Sequence, residues 1–183
     1  MLVAGSTHGG EEEALLPLVQ RLAAAGGWLV VVAPRHLERL AAVTGLFAQQ
    51  GMSFDCFSVL RVGRTRHHPV VILDSLGELF TVYAIATYVF CGGSLVPRHG
   101  HNLMEAAIWD KVVFYGPSME DFGDAVHILE AAGGGCLVRS AAELTDRIDA
   151  SAGQSPMSEA VPLRPLLSAL RDRGLRLGVA TND

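Results

Sequence analysis

Short apolar runs alternate with longer stretches of helical periodicity along most of this chain, and few architectures accept that pattern. The apolar runs predict strands at Leu2 to Ala4, Trp28 to Val32, Phe54 to Leu60, Val70 to Leu73, Tyr88 to Cys91, Val112 to Tyr115 and Cys136 to Val138. Helices are predicted between and after them, at Glu11 to Ala25, Leu37 to Gln50, Leu76 to Ala86, His101 to Trp109, Phe122 to Ala132 and Ala141 to Asp149. Strands that recur with a helix in each connection pair in parallel, and the crossovers lay helices on both faces of the sheet. The expected class is therefore α/β, a Rossmann-like parallel sheet with helices on both faces. Residues 1–150 make this domain. A segment rich in Ser, Gly, Gln and Pro, 151–162, reads as a linker to a helix-strand appendage at 163–183. The very short first strand suggests a domain cut from something larger, with another domain before it.

Composition narrows the classes of function. A chain of 183 residues that is 50% hydrophobic can bury a substantial core. Its net charge is -5 and Lys111 is its single lysine, so no basic stripe is available and a nucleic-acid partner is not expected. Cys56, Cys91 and Cys136 are odd in number and lie in apolar surroundings, which points to free thiols in a reducing cytoplasm rather than to disulfides. No signal peptide and no apolar run of about 18 residues is present. The histidines lack acidic or thiol partners at ligand spacing, so neither a metal nor another cofactor is expected. The polar stretch from Arg61 to Pro69 reads as an exposed loop without chemistry.

Ligands of open α/β sheets bind beyond the carboxyl ends of the strands, and the loops there hold the residues of interest. The richest is Cys91-Gly92-Gly93-Ser94-Leu95-Val96-Pro97-Arg98-His99-Gly100-His101-Asn102-Leu103-Met104-Glu105. Its glycines allow backbone N–H groups to approach a phosphate. Glu105, a turn into the predicted helix, is placed to accept from ribose hydroxyls, and His101 to donate to a hydroxyl or phosphate. Gly5-Ser6-Thr7-His8-Gly9-Gly10 precedes Glu11, Glu12 and Glu13. It reads either as an anion-facing loop or as a plain N-cap whose glutamates complement the helix dipole. Pro34-Arg35-His36 offers an arginine to a phosphate or a base. In Asp74-Ser75-Leu76-Gly77-Glu78-Leu79, a helix cap competes with close backbone approach to a base at Gly77.

Singly these loops are weak signals, but taken in order they are specific. The chain resembles the C-terminal, donor-binding domain of bacterial 3-deoxy-D-manno-octulosonic acid (Kdo) transferases, one half of a GT-B glycosyltransferase. The matching residues run from Gly5-Ser6-Thr7-His8 with Gly10-Glu11-Glu12, through Ala33-Pro34-Arg35-His36 with Glu38-Arg39, to Asp74, Leu76 to Leu79 and Tyr83. They continue in Gly92 to Val96, Gly100-His101-Asn102, Leu103 or Met104 with Glu105, Gly116-Pro117 and Phe122. The resemblance implies that the CMP of CMP-Kdo meets Pro34, Arg35, Gly77, Glu78, Leu79, Asn102, Leu103, Met104 and Glu105. Ser6, Thr7, His8, Gly93, Ser94 and His101 are the donor-loop candidates. It implies no catalytic residue in this chain, because the family's general base, its acceptor site for a lipid A precursor and its membrane anchor belong to an N-terminal domain. The activity implied is transfer of Kdo in lipopolysaccharide biosynthesis, by a parent enzyme on the cytoplasmic face of the bacterial inner membrane, with the isolated fragment inactive. The alternatives are a noncatalytic nucleotide-binding domain and another GT-B sugar-nucleotide enzyme.

Four positions depart from that pattern. His99 replaces a glycine, Ala106 a proline, and Ser118 and Asp121 a histidine and an asparagine. A side chain at 99 is expected to crowd the donor sugar, and Asp121 to bring negative charge toward an anionic ligand. The tail, Leu166 to Asp183, resembles the helix and strand of the second motif of haloacid dehalogenase-type phosphatases, with Thr181 at the phosphate-contacting position. No Asp-x-Asp occurs in the chain, so no phosphatase activity is expected.

Overall fold

The computed structural model describes residues 1–152, so the appendage and most of the linker, 153–162, lie outside the described residues. Seven parallel strands form one sheet: β1 (Leu2–Thr7), β2 (Val30–Pro34), β3 (Asp55–Cys56), β4 (Val70–Ile72), β5 (Tyr88–Cys91), β6 (Val113–Tyr115) and β7 (Gly135–Leu137). Their order across the sheet is β3-β4-β2-β1-β5-β6-β7. From β1 the chain lays β2 on one side, places β3 at that edge and fills the gap with β4, then crosses to the other side of β1 with β5 and winds outward to β7. The switch point thus falls between β1 and β5, where the connections leave toward opposite faces and open a crevice.

The alternation of side chains along each strand sorts the core into two layers. Leu2, Ala4, Val30, Val32, Val70, Ile72, Phe90 and Phe114 face α1 (Glu11–Ala25), α2 (Leu40–Gln49) and α7 (Ala141–Ala152). Val3, Val31, Ala33, Val71, Val89, Cys91, Val113 and Tyr115 face α3 (Phe57–Arg61), α4 (Leu79–Ala84), α5 (Met104–Ala107) and α6 (Gly123–Ala131). Both faces of β1, β2 and β5 are buried, which is why these strands read as unbroken apolar runs. An Arg21 to Asp149 ion pair joins α1 to α7 at the surface.

The structure differs from the expected elements where polar side chains take over the backbone. The run from Phe54 to Leu60 is not one strand: only Asp55 and Cys56 pair, and Phe57–Arg61 turns into α3. Asp74 accepts from Ser58 N at 2.7 Å and Ser58 Oγ at 2.6 Å, binding the first turn of that helix to the loop after β4. The helix expected from His101 begins only at Met104, because Asn102 Oδ1 accepts from Met104 N at 3.0 Å and holds the preceding residues as a turn. α4 likewise begins at Leu79, after Gly77 at φ 84°. β1 is longer than expected, reaching Thr7 through a register shift at Ser6, whose φ is 54°.

The strand ends at the switch point meet at glycines. Gly92 N donates to Gly5 O at 2.8 Å, and Tyr83 of α4 packs its hydroxyl end against Gly5. A Cβ on Gly92 would meet the Ser6 carbonyl and lie 2.7 Å from Thr7 Cα, backbone that cannot swing aside. Gly92→Ala should therefore destabilise the fold by about 1–3 kcal/mol. Gly45→Ala, in α2 with open space around the position, should stabilise it by up to about 1 kcal/mol. Urea unfolding of the two variants beside the parent checks the contrast.

Candidate nucleotide site at the switch point

Five loops reach the crevice edge of the sheet, and a buried carboxylate ties together the two at its centre. Glu11, the first residue of α1, has no exposed surface. Its Oε2 accepts from His8 N at 3.0 Å and Gly93 N at 2.7 Å; its Oε1 accepts from Ser94 N and Leu95 N, both at 3.0 Å. Burial raises its pKa, against the pull of these four N–H donors. Glu12, also buried, accepts from Thr7 Oγ1 at 2.9 Å and is gripped by both terminal nitrogens of Arg39, at 2.9 and 3.1 Å. Glu13 accepts from Gly10 N at 2.7 Å. The three glutamates thus bind the loops around the helix start, and the dipole reading missed the tie made by Glu11 because Gly93 to Leu95 lie some eighty residues away in sequence.

This framework decides which candidate residues face a ligand. Backbone N–H of Gly93 and Ser94 is occupied by Glu11, and Ser94 Oγ bridges Cys91 O at 2.5 Å and Gly116 N at 2.8 Å. Thr7 is buried on Glu12. Leu103 and Met104 are buried in the core, so they can offer a ligand little beyond backbone. Pro34 ends β2 beside Thr7, and Arg35 N donates to Thr7 O at 3.0 Å, which places the arginine next to the β1 loop. Ser6 lies at the bulge that turns that loop.

His8, His36, His101, Arg35, Asn102 and Glu105 converge. The His8 and His101 rings lie nearly parallel, 12° apart, and meet end to end, with centroids 5.0 Å apart and an Nε2 to Nε2 distance of 2.8 Å, and His36 stands edge-on to His8 at 5.4 Å. Burial, then the charges of His8, Arg35 and His36, lower His101 to about 4. Burial raises Glu105, while Arg35 and a hydrogen bond from Asn102 oppose that shift. Glu105 lies half-buried on α5, which packs against α4, and the Gly77 turn leads into α4 with its backbone exposed. Glu78 is held by Arg61 at 2.7 Å. Such a crevice presents arginine and imidazole to an anion, and a carboxylate and an amide to hydroxyls.

His99 does not enter it. Its side chain is 59% exposed, with Nδ1 3.4 Å from Glu120, and its φ of 62° is one that glycine adopts freely. Asp121 is exposed in the 3-10 turn Glu120–Phe122. Among the described residues no cluster of three His, Cys, Asp or Glu could hold a metal, no helix is long and apolar enough to cross a membrane, and all three cysteines are free.

Protonating His101 in the folded protein is costly, so the unfolded chain takes up its proton first. Stability should fall as pH drops from about 6.5 toward about 4. His101→Gln should flatten that part of the profile, read from urea midpoints at several pH values. Glu11→Gln, which turns an acceptor into a buried donor against N–H groups, should cost at least about 1.5–3 kcal/mol.

No protein-family model matches the chain. It is 32% identical over 125 residues to a bifunctional glycosyltransferase/methyltransferase of Fusobacterium nucleatum, covering 68% of this chain and 19% of that protein. It is 32% identical over 146 residues to the 3-deoxy-D-manno-octulosonic acid transferase of Haemophilus influenzae, covering 79% of this chain and 34% of that protein. The chain thus spans about a third or less of these relatives. Among solved structures, the C-terminal CMP-Kdo binding domain of WaaA from Acinetobacter baumannii superposes with a TM-score of 0.77 at 24% identity, covering 96% of this chain and 89% of that one. The spinosyn rhamnosyltransferase SpnG gives 0.53 at 15% identity, with 45% of its chain covered. By sequence and by fold, this chain is a relative of the C-terminal domain of bacterial Kdo transferases, the Rossmann-like half of a GT-B architecture.

Proposed function

We propose that the chain is the donor-binding domain of a glycosyltransferase and takes CMP-Kdo, or a closely related sugar nucleotide, at the β1/β5 crevice. One observation carries the reading: Arg35, His8 and His101 meet Asn102 and Glu105 at the switch point of the sheet. Arg35 and the histidines suit the phosphate, Glu105 the ribose hydroxyls, and the exposed backbone around Gly77 the edge of the base. Asn102 positions Glu105. The similarity to Kdo transferases over most of the chain supports the cytidine nucleotide and the sugar.

The acceptor on this reading is a lipid A precursor, held by a separate N-terminal domain that also supplies the base. The parent enzyme works at the cytoplasmic face of the bacterial inner membrane. The fragment alone binds nucleotide and transfers nothing. The exposed His99 ring, drawn toward Glu120, favours a retained donor over a domain that has lost it.

Calorimetric titration with CMP, UMP and GMP tests the proposal. CMP should bind at least about tenfold tighter than the other two, and Arg35→Ala should weaken it by about tenfold or more, the worth of one charge-assisted contact. Equal binding of all three nucleotides, or none, overturns the assignment. His99→Gly should raise the unfolding midpoint slightly and leave CMP affinity unchanged.

A further inference from the structure

Nucleotide binding by itself does not call for two imidazoles closed on each other. With Nε2 of His8 only 2.8 Å from Nε2 of His101, one atom must carry a hydrogen and the other must present a bare lone pair. The contact therefore holds one proton. A second proton within the contact would set two N–H groups head to head, and burial disfavours one on the far nitrogen of the donating ring, so the closed pair is neutral.

The surroundings reinforce that state while the crevice is empty. Arg98 and Arg39 act on His8 with positive charge, and Arg35 acts on His101. Glu12 is the carboxylate that acts on His8, and Arg39 already grips it. Glu11 is engaged by four backbone N–H groups, and Glu105 lies with Asn102 and the charge of Arg35. Burial opposes charge on both rings. An anion entering between these groups would reverse the balance, supplying the negative charge that the cluster lacks.

We propose that the His8–His101 pair is a proton-linked latch for the anionic group of the nucleotide ligand. When that group arrives, one proton from solvent adds to the bare Nε2, the contact between the rings opens, and both Nε2–H groups turn to the ligand. No covalent bond changes, and the proton returns to solvent on release. The inference rests on the nucleotide reading and adds a specific linkage to it: affinity and proton uptake are coupled, so each changes the other by the same factor.

The test is calorimetric titration of the protein with CMP at about pH 7.5, above the ordinary imidazole range, in two buffers of different ionisation enthalpy. Uptake of about one proton per CMP is expected, and CMP affinity should rise by up to about tenfold per pH unit as pH falls toward about 6.5. His8→Gln should abolish the uptake while CMP still binds. This variant matters because the CMP phosphate itself titrates near pH 6, and uptake by the phosphate would survive the substitution. Cytidine, which lacks the phosphate, should bind without uptake. Imidazole nitrogen shifts should show both Nε2 atoms bearing hydrogen, with one of the two rings cationic, only when CMP is present. CMP binding without uptake, or uptake undiminished in His8→Gln, overturns the latch and leaves the nucleotide site standing; absence of CMP binding overturns both.

Discussion

The buried carboxylate of Glu11 is the interaction on which the ligand-facing edge depends. It gathers four N–H groups from the β1 and β5 loops, the two segments that flank the switch point. Parallel strands alone would leave those loops as independent turns, each free to choose its own path. One charge without water, satisfied only when both loops are in place, makes them a single rigid unit. The close backbone contact at Gly5 and Gly92 serves the same end from below.

That unit consumes many of the groups a reading of the loops would offer to a ligand. The N–H groups of Gly93 and Ser94 and the hydroxyls of Thr7 and Ser94 are spent internally. The chemistry left for recognition is carried by side chains mounted on the frame: His8 and His101 on the two tied loops, Arg35 and His36 from the end of β2, and Asn102 with Glu105 leading into α5. A site of this kind is preorganised, because the residues that fix the geometry are not those that exchange contacts with a ligand.

Much of the fold was legible because its signals are local. Six of the seven strands announced themselves as apolar runs, and burial on both faces of β1, β2 and β5 explains why these were plain. The errors lie where a side chain from elsewhere captured the backbone. Asp74 draws Ser58 into α3 and cuts β3 short, and Asn102 delays α5, neither of which a periodicity argument can register. At the site, Arg35, Asn102, Glu105, His8 and His101 were legible from their position after strands. Glu11 and Glu12 were seen, but as helix-dipole partners, since Gly93 to Leu95 and Arg39, which they also bind, are distant in sequence. His99 was read as crowding the sugar; its left-handed backbone and Glu120 hold its ring exposed, which no sequence pattern registers.

The measurement that bears most directly on the account is the crystal structure of this domain with CMP. The account predicts the nucleotide across the β1/β5 switch point, phosphate against Arg35 and the His8 and His101 rings, ribose on Glu105 and base beside the Gly77 turn, with the Glu11 contacts intact. CMP bound elsewhere on the surface, or bound in the crevice only after the Glu11 ties to Gly93, Ser94 and Leu95 have broken, would contradict it.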